Sequence, residues 1–228
     1  WAQQRRLVDQ AFAAANLRRA FPLMRAAVDD LLDRLARRDA REPWPADVAM
    51  AHVTADIIFR TILSTPLAPE PAQQVHDAFR SYQENAQRVM ALSALHLPTW
   101  LHRWRCRQMG ARIRASFAPL VHARYAAVAR GEADLPQDML AALIAARDPD
   151  TGARLSAAQA VDQVATLFLA GHETSASTLA WALYLLACQP ELQQQVRDEV
   201  AAAWGDRAPE FGDTRHLALT QDVFKETL

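Results

Sequence analysis

The 228-residue chain reads as mainly α. Three observations predict that class. Apolar side chains recur at i, i+3 and i+4 through most segments, no internal repeat or strand-type alternation interrupts them, and one apolar stretch, Ala157 to Cys188, carries helix-start and helix-stop signals at its ends.

Taken in order, residues 1 to 16 and about 20 to 40 form the first two helices. In the second, Leu23, Ala27, Leu31, Leu32 and Leu35 share a helical spacing, interleaved with Arg25, Asp29, Asp30 and Arg34. Glu42, Pro43, Trp44 and Pro45 punctuate, and Ala46 or Asp47 opens a helix through Val53, Ile57, Ile58 and Ile62 that ends at Thr65 and Pro66. LAPEPA, residues 67 to 72, reads as a loop. Longer helices over 72 to 93 and 103 to 130 flank an apolar, proline-interrupted segment, LSALHLPTWLH, at 92 to 102. Shorter helices are predicted at about 137 to 147, 190 to 204 and 219 to 228.

The stretch between them is one long helix. Ser156 and Gln159 have capping-box spacing, in which each side chain satisfies an otherwise orphaned backbone N–H. Pro190 ends the helix near Cys188 or Gln189 and suits the first turn of the next. A span of about 33 residues is roughly 50 Å long. Val161, Val164, Phe168, Leu179, Leu183 and Leu186 predict a helix covered from more than one side, crossing the centre of a domain. A membrane span is disfavoured: its uninterrupted apolar runs fall short of the roughly 18 residues needed, and His172, Glu173, Thr174, Ser175, Ser177 and Thr178 occupy its middle.

That middle, AGHETS at residues 170 to 175, is the most informative local feature. An unpartnered buried carboxylate costs several kcal/mol, so Glu173 among Leu167, Phe168, Leu169 and Leu179 requires hydrogen bonds, water or a ligand. Gly171 weakens the helix by roughly 1 kcal/mol, and the hydroxyls of Thr174, Ser175, Ser177 and Thr178 compete for backbone carbonyls. Residue types alone leave two readings open, a satisfied polar helix break or a ligand site centred on Glu173 and Thr174.

Composition bounds the class. A chain with 51% hydrophobic and 22% charged residues has material for a core and is not disordered. Net charge -1 with a pI near 6.7 argues against nucleic acid as partner. Two cysteines make no disulfide framework and fit a reducing cytosol. Lys225 is the sole lysine among 25 Lys and Arg, a bias that hints at a GC-rich bacterial genome. His52, His76, His96, His102, His122 and His216 show no paired metal-ligand spacing, and His172 lacks the second histidine of HExxH. All are read as structural or surface residues, with no protein-ligated metal.

Residues 167 to 200, LFLAGHETSASTLAWALYLLACQPELQQQVRDEV, resemble the oxygen-binding central helix and following helix of the cytochrome P450s, heme-thiolate monooxygenases. The family pattern there is alanine or glycine, glycine, any residue, an acid, threonine, then threonine or serine. Ala170, Gly171, His172, Glu173, Thr174 and Ser175 match every defined position. Trp1 and Arg5 stand in the family's WxxxR spacing and continue as RRLVDQAF, while KETL at 225 to 228 resembles the start of ExxR, with Glu226 as its acid. The three matches occur in family order.

The resemblance implies that residues 1 to 228 are the central helical portion of one cytochrome P450-like domain, truncated at both ends, with the small β-sheets mostly outside. Its cofactor would be heme b, ligated by a cysteine beyond this chain, because Cys106 in HRWRCRQ and Cys188 in LLACQP lack the ligand loop's phenylalanine and glycine context. The portion alone is expected to be inactive. The implied reaction inserts one atom of O2 into a small apolar organic substrate, with electrons ultimately from NAD(P)H through a ferredoxin or flavoprotein reductase. In that scheme Thr174 hydrogen-bonds the bound oxygen and holds a water, and Glu173 relays protons. Ala170 and Gly171 leave space for O2 and the heme face, and Trp1 and Arg5 seat a propionate. Residues 92 to 102 fall where the family carries a mobile lid. A cytoplasmic, bacterial setting is expected. The other readings are a helical ligand-binding module without chemistry and a decayed gene remnant.

Overall fold

The computed structural model describes residues 2–39, 41–66 and 69–228, leaving aside the side chains of residues 2, 3 and 69–76. The helices are α1 (Ala2–Ala11), α2 (Ala14–Ala36), α3 (Ala46–Leu63), α4 (Pro69–Ala94), α5 (Trp100–Ala129), α6 (Met139–Ala145), α7 (Ala157–Cys188), α8 (Pro190–Trp204) and α9 (Ala218–Thr227). A 3₁₀ turn, Phe211–His216, precedes α9, and no strand occurs among the described residues.

Several boundaries differ from the sequence expectation. The first helix stops at Ala11 rather than residue 16. Helix propensity in AFAAAN favours continuation, but Ala13 is extended (φ -55°, ψ 143°), and the redirected chain buries both Leu7 and Ala20. α2 then starts well before residue 20 and carries Pro22 inside it. Part of LAPEPA is helical, since α4 begins at Pro69, and proline suits a first helical turn. α5 starts at Trp100 instead of 103, with Thr99 Oγ1 accepting from Arg103 Nε at 2.9 Å. The lid-like segment therefore shortens to residues 95–99, a turn in which His96 adopts a left-handed φ of 55°.

α4 and α5 form a hairpin, α3 and α5 pack on α7, and α2 packs on the outside of α3. The principal core joins Leu7 of α1, Phe59 and Ile62 of α3, Phe117 and Val121 of α5, Leu140 and Leu143 of α6, and Val164 and Phe168 of α7. Each such side chain contributes roughly 1.5–3 kcal/mol by leaving water. A smaller cluster of Ala27, Leu31, Met50, Val53 and Ala176 joins α2 and α3 to the second half of α7.

Buried ion pairs fasten the connections. Arg124 makes two 3.0 Å bonds to Asp138, whose Oδ1 also caps α6 by accepting from Ala141 N–H. Arg6 reaches across from α1 to Asp148 at 2.7 Å, and Asp148 Oδ1 accepts from the amides of Asp150 and Thr151 and from the Thr151 hydroxyl. Burial pushes the Asp148 pKa up, but Arg6 and the loop donors outweigh it, so the net shift is downward.

Candidate functional site

α7 begins with the expected capping box: Ser156 Oγ accepts from Gln159 N–H at 3.2 Å, and Gln159 Oε1 accepts from Ser156 N–H at 2.9 Å. It continues as one helix to Cys188. Among the described residues it is packed on one side, where the sequence predicts cover from more than one. Thr166, Ala170, Thr174, Ser177, Trp181 and Tyr184 form an exposed stripe along the other side, and Leu183 is 37% exposed. These positions recur at the period of a single helix face.

The covered side holds AGHETS in place. His172 is buried, its ring stacked on Phe168 with centroids 5.4 Å apart, and its Nε2 lies 3.1 Å from the Ala51 carbonyl of α3. Thr54 Oγ1, also on α3, lies 3.1 Å from the His172 carbonyl and 2.8 Å from that of Met50. Phe168 in turn meets Phe59 and Phe117, at 5.9 and 5.3 Å. An aromatic stack and cross-helix hydrogen bonds therefore fix the helix from Phe168 to His172, across Gly171. A Cβ at Gly171 would lie 3.0 Å from Ile58 Cδ1. The expected space beside this glycine is thus taken up by close approach of α3.

The acid and the alcohol face different surroundings. Glu173 is half-buried rather than fully enclosed by leucines, and its carboxylate accepts a hydrogen bond from Gln83 Nε2 of α4. Both line a cleft of about 270 Å³ between α3, α4 and α7, together with Asp47, Arg80, His172 and Ser177. Thr174 lies on the open stripe, its Oγ1 donating to the Ala170 carbonyl at 2.7 Å, which leaves the oxygen lone pairs directed outward. Ser177 belongs to both surfaces, so cleft and stripe meet along one helix edge.

Among the other expected site residues, Trp1 lies outside the described residues. Arg5 is on α1, its side chain 65% exposed and 4.0 Å from Asp9. Glu226 is exposed on α9. Cys188 is exposed at the end of α7, fourteen residues and about 21 Å from Thr174 along the axis. Cys106 Sγ sits 3.8 Å from the Tyr82 carbonyl in the α4–α5 hairpin. Among the described residues no cluster of His, Cys, Asp or Glu is able to hold a metal ion, and no helix is long and apolar enough to cross a membrane.

The residues present fit a flat prosthetic group. From Ala170 to Ser177 the open stripe bears nothing bulkier than threonine, which leaves a level ledge of small side chains with the hydroxyls of Thr174 and Ser177 on it. Three supporting residues were not foreseen from sequence: Gln83, Thr54 and Glu199. Glu199 of α8 accepts from Leu219 N–H at 2.6 Å and from the N–H and hydroxyl of Thr220 at 2.9 and 2.7 Å, capping the helix that carries Glu226. No local signal marks any of them, because each acts on a partner distant in the chain.

Fold and site together define a helical core whose central helix carries an alcohol on its open side and an acid in the adjoining cleft. The chain belongs to the cytochrome P450 family, whose model matches residues 1–228. It is 33% identical over 230 residues to a pentalenene oxygenase of Streptomyces avermitilis, covering 99% of this chain and 49% of that protein. It is also 33% identical over 239 residues to a cyclooctatin synthase of Streptomyces melanosporofaciens, covering 100% and 49%. A bifunctional cytochrome P450/NADPH–P450 reductase of Alternaria alternata is 27% identical over 245 residues, covering 100% and 21%. The chain spans about half the length of the first two relatives.

Proposed function

We propose that residues 1–228 form the central helical part of a single-domain, heme-dependent monooxygenase that inserts one atom of O2 into a small apolar organic substrate. The observation that carries this reading is the division of labour on α7: Thr174 on the open stripe, and Glu173 beside it, held by Gln83 at a solvent-open cleft. Heme b, with a cysteine thiolate supplied by sequence outside these residues, would bring dioxygen activation to that stripe.

The chain's own groups then bind, orient and move protons. Thr174 Oγ1 accepts a hydrogen bond from water at the stripe, and rotation of its hydroxyl redirects its proton from the Ala170 carbonyl to a ligand. Glu173 takes protons from the cleft and passes them along the shared edge at Ser177, with Gln83 setting its carboxylate orientation. Ala170 keeps the ledge flat, Gly171 lets α3 approach and steady it, and Trp1 and Arg5 serve a propionate. Cys188 is about 21 Å from Thr174 along α7 and Cys106 sits in the α4–α5 hairpin, so neither is taken as the thiolate, and these residues alone are inactive. Electrons reach the site ultimately from NAD(P)H through a ferredoxin or flavoprotein reductase. The reductase fused to the Alternaria relative supports that route, and the oxygenase name of the Streptomyces avermitilis relative supports oxygen insertion. The protein works in a bacterial cytosol.

The test uses these residues with their natural flanking sequence. The reduced protein should show a carbon monoxide-dependent Soret shift, and Thr174→Ala should divert reducing equivalents from product to peroxide. No Soret shift, or unchanged coupling of electron consumption to product, rejects the reading.

A further inference from the structure

α1 meets the rest of the fold along one face. Leu7 and Ala11 of that face are buried in the core, and Arg6 and Gln10, one turn apart beside them, reach the connection between α6 and α7. Gln10 Nε2 donates to the Arg147 carbonyl at 2.9 Å. Arg6 gives Asp148 Oδ2 two bonds, at 2.7 Å from a terminal nitrogen and at 3.2 Å from Nε, and Asp150 Oδ2 lies 3.1 Å from the same guanidinium. Two consecutive residues of the connection thus grip α1 at points one turn apart.

The connection is itself closed. Asp148 N–H donates to the Ala153 carbonyl at 2.9 Å and Gly152 N–H to the Asp148 carbonyl at 2.8 Å, with Gly152 in the left-handed region at a φ of 68°. Inside this turn Asp148 Oδ1 accepts from the amides of Asp150 and Thr151 and from the Thr151 hydroxyl, and none of its side chain meets solvent. The loop donors hold Oδ1 and so aim Oδ2 at Arg6. Tyr125 of α5 donates to the Leu155 carbonyl at 2.9 Å, and Ser156 then opens α7 with its capping box. Asp148 therefore ties α1 to the fixed start of the helix that carries Glu173 and Thr174.

The consequence falls on Arg5. One residue is about 100° of helix rotation, so with Arg6 turned to the loop, Arg5 lies on the exposed arc that it shares with Asp9. A turn of α1 by about 20° would move a group roughly 6 Å from its axis by roughly 2 Å, enough to break a hydrogen bond. Leu7 and Ala11 resist that turn through apolar contact, which is non-directional, whereas charge-assisted hydrogen bonds fix an orientation. Stability alone does not account for the arrangement. The loop closes through its own backbone bonds, the apolar face of α1 is buried without it, and a buried ion pair is weak evidence for stability.

We propose that Asp148, acting through Arg6, is a positioning residue that sets the rotation of α1 and with it the direction in which Arg5 presents its guanidinium to a heme propionate. The inference rests on the heme-dependent function proposed above, and it places the control of the propionate seat in the connection between α6 and α7.

The experiment reads heme retention rather than turnover. For the protein with its natural flanking sequence, the rate of heme transfer to excess acceptor apoprotein and the ferric–ferrous midpoint potential are measured in Asp148→Asn, Arg6→Gln and Arg5→Leu, and in each of the first two combined with Arg5→Leu. Asp148→Asn and Arg6→Gln should each speed heme loss by roughly three- to thirtyfold and shift the potential, and neither should add more than about twofold once Arg5 is replaced. Tyr125→Phe removes a bond of the same connection without touching Arg6, and it should leave both readouts unchanged, which separates positioning from general loosening. Should Asp148→Asn fail to fold, Arg6→Gln, at a side chain 40% exposed, completes the same cycle. Equal acceleration with and without Arg5, or no acceleration from either variant, overturns the proposal. If Arg5→Leu alone leaves heme loss unchanged, the proposal falls while the monooxygenase reading stands; a protein that takes up no heme removes both.

Discussion

Replacing Phe168 by alanine tests whether α7 is held from one side as described. The ring is 2% exposed and meets Phe59, Phe117 and His172 at centroid distances of 5.9, 5.3 and 5.4 Å. Three aromatic neighbours on different helices cannot collapse together into the space left behind, so the cavity term persists and the loss falls in the usual range of about 3–5 kcal/mol. That is a large part of the roughly 5–15 kcal/mol by which domains are stable, and at about 2–4 °C per kcal/mol it lowers the melting temperature by about 6–20 °C. Phe168→Leu keeps most of the apolar bulk and should cost less than about 2 kcal/mol. Urea denaturation followed by circular dichroism measures both. Because His172 loses its stacking partner and Thr174 follows on the same helix, Phe168→Ala should also raise the peroxide fraction. A loss below about 1.5 kcal/mol, with leucine and alanine alike, would show that the aromatic cluster does not hold this helix.

Other substitutions probe separate parts of the same arrangement. Gly171→Ala should stay within about 1 kcal/mol of the parent, since the gain in helix propensity offsets the 3.0 Å approach to Ile58 Cδ1, whereas Gly171→Leu should cost about 1–3 kcal/mol in the same denaturation assay. Glu173→Gln should slow turnover more than it weakens substrate binding, and Thr174→Ser should restore much of the coupling lost in Thr174→Ala; a change in substrate binding alone counts against the proton role. Arg207 hydrogen bonds, together with the Glu210 amide, hold the Asp213 carboxyl down from its usual 3.8 to about 2. A carboxyl depressed in the folded state stabilises above its unfolded value and loses that contribution as pH falls through the folded one. Stability should therefore decline between pH 3.8 and about 2, and Asp213→Asn should flatten that part of an acid titration. Glu199→Ala should speed amide exchange at Leu219 and Thr220 while leaving α5 unchanged.

The parts of this fold written in local chemistry were legible in the sequence. Ser156 with Gln159 announced the start of α7, and Pro190 its end, because caps and proline act on neighbouring backbone groups. AGHETS could be recognised for the same reason, as a cluster within two turns of one helix. What decided the environment of Glu173 was a glutamine 90 residues away, and what steadied the backbone at His172 was a threonine 118 residues away. Neither Gln83 nor Thr54 is distinguishable by type or spacing from any other polar helical residue. The break between α1 and α2 was hidden for a different reason. Alanine-rich sequence favours helix throughout, and only the demand to bury both Leu7 and Ala20 turns the chain there. The early start of α5 was masked by Pro98, since Thr99 and Arg103 supply a side-chain bond that pattern alone does not reveal.

The one-sided anchoring of α7 has an implication for how such proteins diversify. Residues that hold the helix, Phe168, His172 and Ala176, and residues that look outward, Ala170, Thr174, Ser177 and Trp181, occupy opposite arcs of one cylinder. Substitutions on the outward arc remove almost no packing among these helices, so their effect falls on whatever meets that surface. A set of substitutions at position 181, one turn beyond Ser177 and clear of the ledge, would accordingly leave the packing of these helices intact while changing the surface that α7 presents.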